Sequence, residues 1–121
     1  MTLERIKRHF DFIEMKDTNT KAFTHSFVLQ IRSNDKGITR VGFTVSKKIV
    51  KQATIRNHLR RQMREIVRLS SKLMTLYPSH DLVLIARSEA LNRTYQQLTE
   101  DFDYLLTHVK DMSDEPHTKN S

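Results

Sequence analysis

The sequence predicts a single-domain α/β protein, an α+β sandwich of element order α-β-β-(β)-α-β-α. Three observations carry this prediction. Two stretches alternate apolar and polar residues with the period of a strand, one long stretch repeats with the period of a helix, and one short run is apolar throughout. A chain of 121 residues fits one domain and is long enough to bury a core.

The stretch around His9–Met15 reads as a short helix, with Phe10, Phe12, Ile13 and Met15 as its apolar surface. Asp17–Lys21 reads as a loop. Phe27, Leu29 and Ile31 alternate with Val28, Gln30 and Arg32, the period of a half-buried strand, which can be longer or split in two. Asn34-Asp35-Lys36-Gly37 is a turn signal, and Val41, Phe43 and Val45 then alternate with Gly42, Thr44 and Ser46, so the two strands read as a hairpin.

From Ala53 to Leu76 the period becomes helical. Ile55, Leu59, Met63, Ile66 and Leu73 form one stripe, while Arg56, Asn57, Arg60, Arg61, Arg64 and Arg68 share an arc of about 140° on the other side. Pro78 marks the stop. Leu82–Ala86 is the apolar run of a strand buried on both faces. Thr94 and Gln97 fit a capping box, and Leu91, Tyr95, Leu98, Phe102, Leu105 and Val109 give a closing helix its apolar face. The long helix thus lies in a crossover between two strands, with one face on the sheet and a row of guanidinium groups held toward solvent. The domain spans 1–110, and the polar, aperiodic residues 111–121 read as a disordered tail.

The net charge is +7, from 21 Lys and Arg against 14 Asp and Glu. Its placement is uneven. Lys36, Arg40, Lys47, Lys48, Lys51, Arg56, Arg60, Arg61 and Arg64 fall in one segment without a single acid. A solvated charged face usually mixes both signs, so such a block points to a polyanion, nucleic acid first. The chain has no cysteine, which excludes disulfides and thiolate metal sites and suits a reducing compartment. No apolar run reaches the length of a membrane span, and MTLERIKRHF lacks the apolar region of a signal peptide. The expected location is the cytoplasm.

The remaining chemistry-bearing residues have plain readings. His9, His25, His58, His80, His108 and His117 are scattered without metal-ligand spacing. Gly37 and Gly42 do not make a phosphate-cradling loop. Asp101 and Asp103, two apart on a helix, point to different sides and read as surface solvation. Phe27 reads as core; Phe12 divides evenly between core and a stacking surface.

The segment Val41–Leu69 resembles a family signature. Bacterial ribonuclease P proteins carry a V-G-[FL]-[ST]-V-[SA]-K-K strand, and Val41-Gly42-Phe43-Thr44-Val45-Ser46-Lys47-Lys48 matches it throughout. Their A-x-x-R-N-R-x-[KR]-R-x-x-R-E run is matched by Ala53 to Glu65, except that His58 replaces the second arginine of the R-N-R core. Asp81–Arg87 resembles the family's D-[YF]-V-[VL]-I-[AG]-[RK] strand, and Asp11-Phe12 and Phe27-Val28-Leu29 also fit.

The resemblance implies a left-handed β-α-β crossover around the arginine helix. It implies a subunit of ribonuclease P that binds the catalytic RNA and the 5′ leader of precursor tRNA, assisting endonucleolytic 5′-end maturation. Carried over by position, Lys47, Lys48, Arg56, Asn57, Arg60, Arg61, Arg64 and Arg68 would bind RNA, and Phe12, Lys16 and Gln30 would line the leader cleft. Lys16 and Gln30 stand where some relatives have aromatic residues, which shifts that cleft from stacking toward charge. The catalytic centre and its Mg2+ ions are expected mainly in the RNA, with no catalytic or metal-binding residue in the protein. The alternative is a structural ribosomal or RNA-assembly protein using the same basic helix. A DNA-binding regulator fits less well, because helix-turn-helix proteins present a short helix on an all-α platform. A membrane-surface helix would need the apolar face that the sheet requires.

Overall fold

The computed structural model describes residues 3–5 and 20–114. Strands β1 (Leu3–Arg5), β2 (Thr20–Phe23), β3 (Phe27–Ser33) and β4 (Thr39–Thr44) precede helix α1 (Ala53–Leu69) and the short helix α2 (Leu73–Leu76). Strand β5 (His80–Ala86), a 3-10 turn (Ser88–Asn92) and helix α3 (Tyr95–Asp114) follow. The expected helix at His9–Met15 lies outside the described residues.

The five strands form one sheet in the order β1-β4-β5-β3-β2. β4 and β5 are parallel, β1 and β4 are parallel, and β5–β3 and β3–β2 are antiparallel. The α/β class and the crossover of α1 between β4 and β5 are as the sequence predicts. The β3–β4 hairpin is not: β5 lies between these strands, and the true hairpin joins β2 to β3. That hairpin begins inside the stretch read as loop, and its turn is closed by Thr24, whose N–H donates to Phe27 O at 2.9 Å and whose Oγ1 accepts from Phe27 N–H at 3.2 Å. The reason lies in β5. Leu82, Val83 and Leu84 are all buried, and a strand apolar on both faces is stable only inside a sheet. The Asn34–Gly37 turn is real but serves another end. Asn34 N–H donates to Ser79 O at 2.9 Å, which pins the start of β5 beside β3. Gly37 (φ 75°) and Ser79 (φ 61°) both take left-handed backbone there.

Register places Phe27, Leu29 and Ile31 of β3 beside Ala86, Leu84 and Leu82 of β5, all on one face. α1 lies against β4, and α3 lies against β2 and β3. Leu59, Met63, Ile66 and Val67 from α1 and Leu98, Phe102, Leu105 and Val109 from α3 close the core. Tyr77 O–H donates to Leu106 O at 2.8 Å and Thr39 Oγ1 donates to Tyr77 O at 2.8 Å, so these buried polar groups are satisfied.

The helices depart from expectation at their ends. The predicted Ala53–Leu76 helix breaks after Leu69, where Ser70 turns to extended backbone (φ −71°, ψ 123°). Ser70 N–H donates to Val67 O at 3.2 Å, an i→i−3 bond that tightens the last turn and ends the ladder. Leu73, read as part of the long stripe, is buried from α2, and Ile55 at the other end of the stripe is 39% exposed. The capping box is present, with Thr94 N–H to Gln97 Oε1 at 2.9 Å and Gln97 N–H to Thr94 Oγ1 at 3.1 Å. Of the predicted closing face, Leu91 and Tyr95 remain exposed. α3 continues to Asp114, so residues 111–114, read as tail, are helical.

Candidate nucleic-acid interface

After β4 the chain turns at Ser46, whose carbonyl accepts from Ile49 N–H at 3.1 Å and whose Oγ accepts from Lys48 N–H at 3.0 Å. This turn leaves Lys47 and Lys48 exposed just before α1. α1 then begins at Ala53, with Gln52 at the cap position making no side-chain capping bond and no acid in the first turn. Its unpaired N–H groups and dipole therefore add to the positive field of the lysines.

The six predicted α1 residues lie together on one side, spanning roughly 18 Å from Arg56 to Arg68. They are not equivalent. Arg56 is half-buried and donates through Nη1 to Lys51 O at 2.7 Å and Val50 O at 3.2 Å, which locks the lysine turn to the helix. Arg60 Nη1 donates to Asn57 Oδ1 at 2.9 Å, which holds both side chains on the same ridge. Arg64 lies over the Phe43 ring, its Cζ 5.9 Å from the centroid, and so ties the ridge to the sheet. Arg68 pairs with Glu65 at 3.7 Å across one turn, both well exposed. Arg61 is exposed with no partner among the described residues.

Two residues of the basic block lie elsewhere: Lys36, in the turn before β4, and Arg40. Arg40 points to the sheet face away from α1 and α3, where its Nε donates to Asp81 Oδ1 at 2.8 Å and its Nη2 to Asp81 Oδ2 at 2.7 Å. Arg32 and Asn34 converge on the same carboxylate at 3.2 and 2.8 Å. Asp81 is fully buried. Burial alone would raise its pKa, but the hydrogen bonds from Arg40 and Asn34, the Arg40 charge and the bond from Arg32 outweigh burial and hold the carboxyl below its ordinary value. The acid-free segment of the sequence thus receives an acid from β5 in space.

That second sheet face has three rows. Arg32, Asp81 and Arg40 form the row at the Asn34–Gly37 end. Gln30, Val83 and Gly42 form the middle row, and Gln30 is only 8% exposed. Thr44, Ile85, Val28 and Phe23 form the third row, beside the lysine turn, and all four are half-buried or exposed. Gln30, two strands from β4, stands about 10 Å from its line and does not join the α1 ridge. Phe12 and Lys16 lie outside the described residues. Asp101, read as surface solvation, instead accepts from Ser26 Oγ and from Arg93 Nη2 at 3.2 Å, anchoring α3 to the β2–β3 turn. Among the described residues no three His, Cys, Asp or Glu groups gather as a metal site.

Together these features define a basic α/β binding domain with its cations concentrated on one helix and the turn before it. The chain belongs to the ribonuclease P protein family, whose Ribonuclease P family model matches residues 1–110. It is 30% identical over 106 residues to the ribonuclease P protein component of Clostridium kluyveri, covering 88% of this chain and 94% of that one. Two solved proteins share its fold. The RNase P protein of Thermotoga maritima aligns with a TM-score of 0.77 at 26% identity, over 88% of this chain and 97% of its own. That of Staphylococcus aureus aligns with a TM-score of 0.75 at 27% identity, over 89% and 96%. No described helix is long and apolar enough to cross a membrane.

Proposed function

We infer that this ribonuclease P protein docks on the catalytic RNA through the α1 ridge and leads the 5′ leader of precursor tRNA across the second face of the sheet, in the cytoplasm. The observation that carries this reading is the continuity between the two surfaces. The third row, Thr44–Ile85–Val28–Phe23, starts at the lysine turn that begins α1. Planar guanidinium forks on a rigid crossover helix suit folded-RNA phosphates. A half-apolar, half-exposed row suits an unpaired strand. On this reading the Mg2+ ions and the hydrolysis belong to the RNA. The protein's contribution is to bind and to orient.

Purified protein alone should leave precursor tRNA intact, and addition of ribonuclease P RNA with Mg2+ should restore cleavage at the mature 5′ end. RNA-free cleavage surviving nuclease treatment would reverse this division of labour. Binding to the RNA should weaken steeply with salt, because each phosphate contact releases counterions. Arg61→Ala should lower the log–log salt slope by roughly one unit. Lys36→Ala should leave it unchanged: Lys36 belongs to the same basic block in sequence but sits at the far end of β4 from α1. Equal slopes for both variants would place the docking surface elsewhere.

A further inference from the structure

The third row does not end at the sheet edge. At Phe23 it opens into a groove of about 430 Å³ lined by Phe23, Thr24, His25, Arg87, Asp101 and Tyr104. Two aromatic rings are left unusually open there, Phe23 at 53% and Tyr104 at 49% exposure. The Tyr104 ring stacks on His108, with centroids 4.1 Å apart and planes at 23°, which supports one of its faces and leaves the other open. Arg87 is fixed by a hydrogen bond from Nη1 to Thr24 O at 2.8 Å, which leaves its other donors for a ligand. His25 faces Glu89 at 3.3 Å. The carboxylate of Asp101 is already engaged by Ser26 and Arg93, so it presents little bare negative charge.

We propose that this groove takes one further unpaired nucleotide of the strand that crosses the sheet, its base against Tyr104 and Phe23 and its phosphate near Arg87. Flat exposed rings bind bases of any sequence through stacking, and a nearby guanidinium meets the accompanying phosphate. The volume suits a nucleotide-sized ligand. Reach is equally consistent: from Thr44 to Phe23 the row crosses three strand spacings, about 14 Å. The proposal rests on the leader reading above and extends it to a distal subsite on α3 and the β2–β3 turn.

The test uses the holoenzyme reconstituted with ribonuclease P RNA and precursor tRNAs whose leaders lengthen one nucleotide at a time. With the unaltered protein, affinity should rise with leader length in steps. Phe23→Ala and Tyr104→Ala should abolish only the step from the longest leaders, weakening their binding by about five- to a hundredfold. Short-leader and mature tRNA should bind as before. Tyr95→Ala, an exposed aromatic on the same helix but outside the groove, should change nothing. A 5-iodouridine placed at the distal leader position should photo-crosslink to Tyr104 or Phe23. If the unaltered protein shows no leader dependence, the leader reading and the subsite both fall. If it shows that dependence and the groove variants keep every step, the subsite alone is wrong. The same holds if the variants instead alter self-association, which would make the groove a contact between copies.

Discussion

Asp81 shows how a single side chain organises one end of the sheet. Its carboxylate receives two arginines and an asparagine from β3, the following turn and β4. Arg32 and Arg40 are 18% and 12% exposed, so this anion offsets part of the cost of burying their charges. Asp81→Asn should destabilise the fold by about 3 kcal/mol, the low end for breaking a buried pair because the guanidinium groups keep some contact with water. The pH dependence follows from the lowered folded-state pKa. The stabilisation is fully present above the unfolded carboxyl value, about 3.9, and is lost as pH falls through the lower folded value. Urea titrations of both proteins from neutral to acid pH should therefore converge at the acid end, and a constant gap would refute the assignment. This cluster was not legible in the sequence. Arg32 and Arg40 alternate outward on their strands like any solvated residues, and only the insertion of β5 between them brings Asp81 within reach.

At the scale of elements, the start of α3 and the arginine ridge were legible in the sequence. The Thr94–Gln97 box lies within four residues, and its reciprocal hydrogen bonds start α3 where the pattern says. Thr94→Ala should cost about 1 kcal/mol, seen as a lower urea midpoint with an unchanged slope. Ribonuclease P activity at saturating RNA should be retained. The arginine ridge was equally legible, since helical spacing alone puts those residues on one side. Strand partnership was not. A turn signal between two alternating segments predicts a hairpin, yet the burial of β5 on both faces overrides it. The break at Ser70 was missed because apolar spacing continues in phase through Leu73.

Across the whole molecule, the cationic face was visible as a block in the sequence, whereas the groove was not. Phe23 lies in β2, Arg87 just after β5 and Tyr104 in α3, and they gather only when these elements meet. The same long-range assembly governs how the chain reaches its native state. β5, the strand at the centre of the sheet, is the last of the described strands to be synthesised. Until it arrives, β3 and β4 have no common neighbour and α1 has no finished floor to lie on. A chain ending before His80 should accordingly show no cooperative unfolding transition by circular dichroism, even though it contains α1 entire. Such non-local closure slows folding, since loop entropy is lost before contacts repay it. On the ribosome, the arginine helix therefore emerges before the sheet that orients it is complete. During that interval its charges are presented by an unanchored peptide, so under the docking proposed above selective recognition of one RNA fold would begin only once the final strand has inserted.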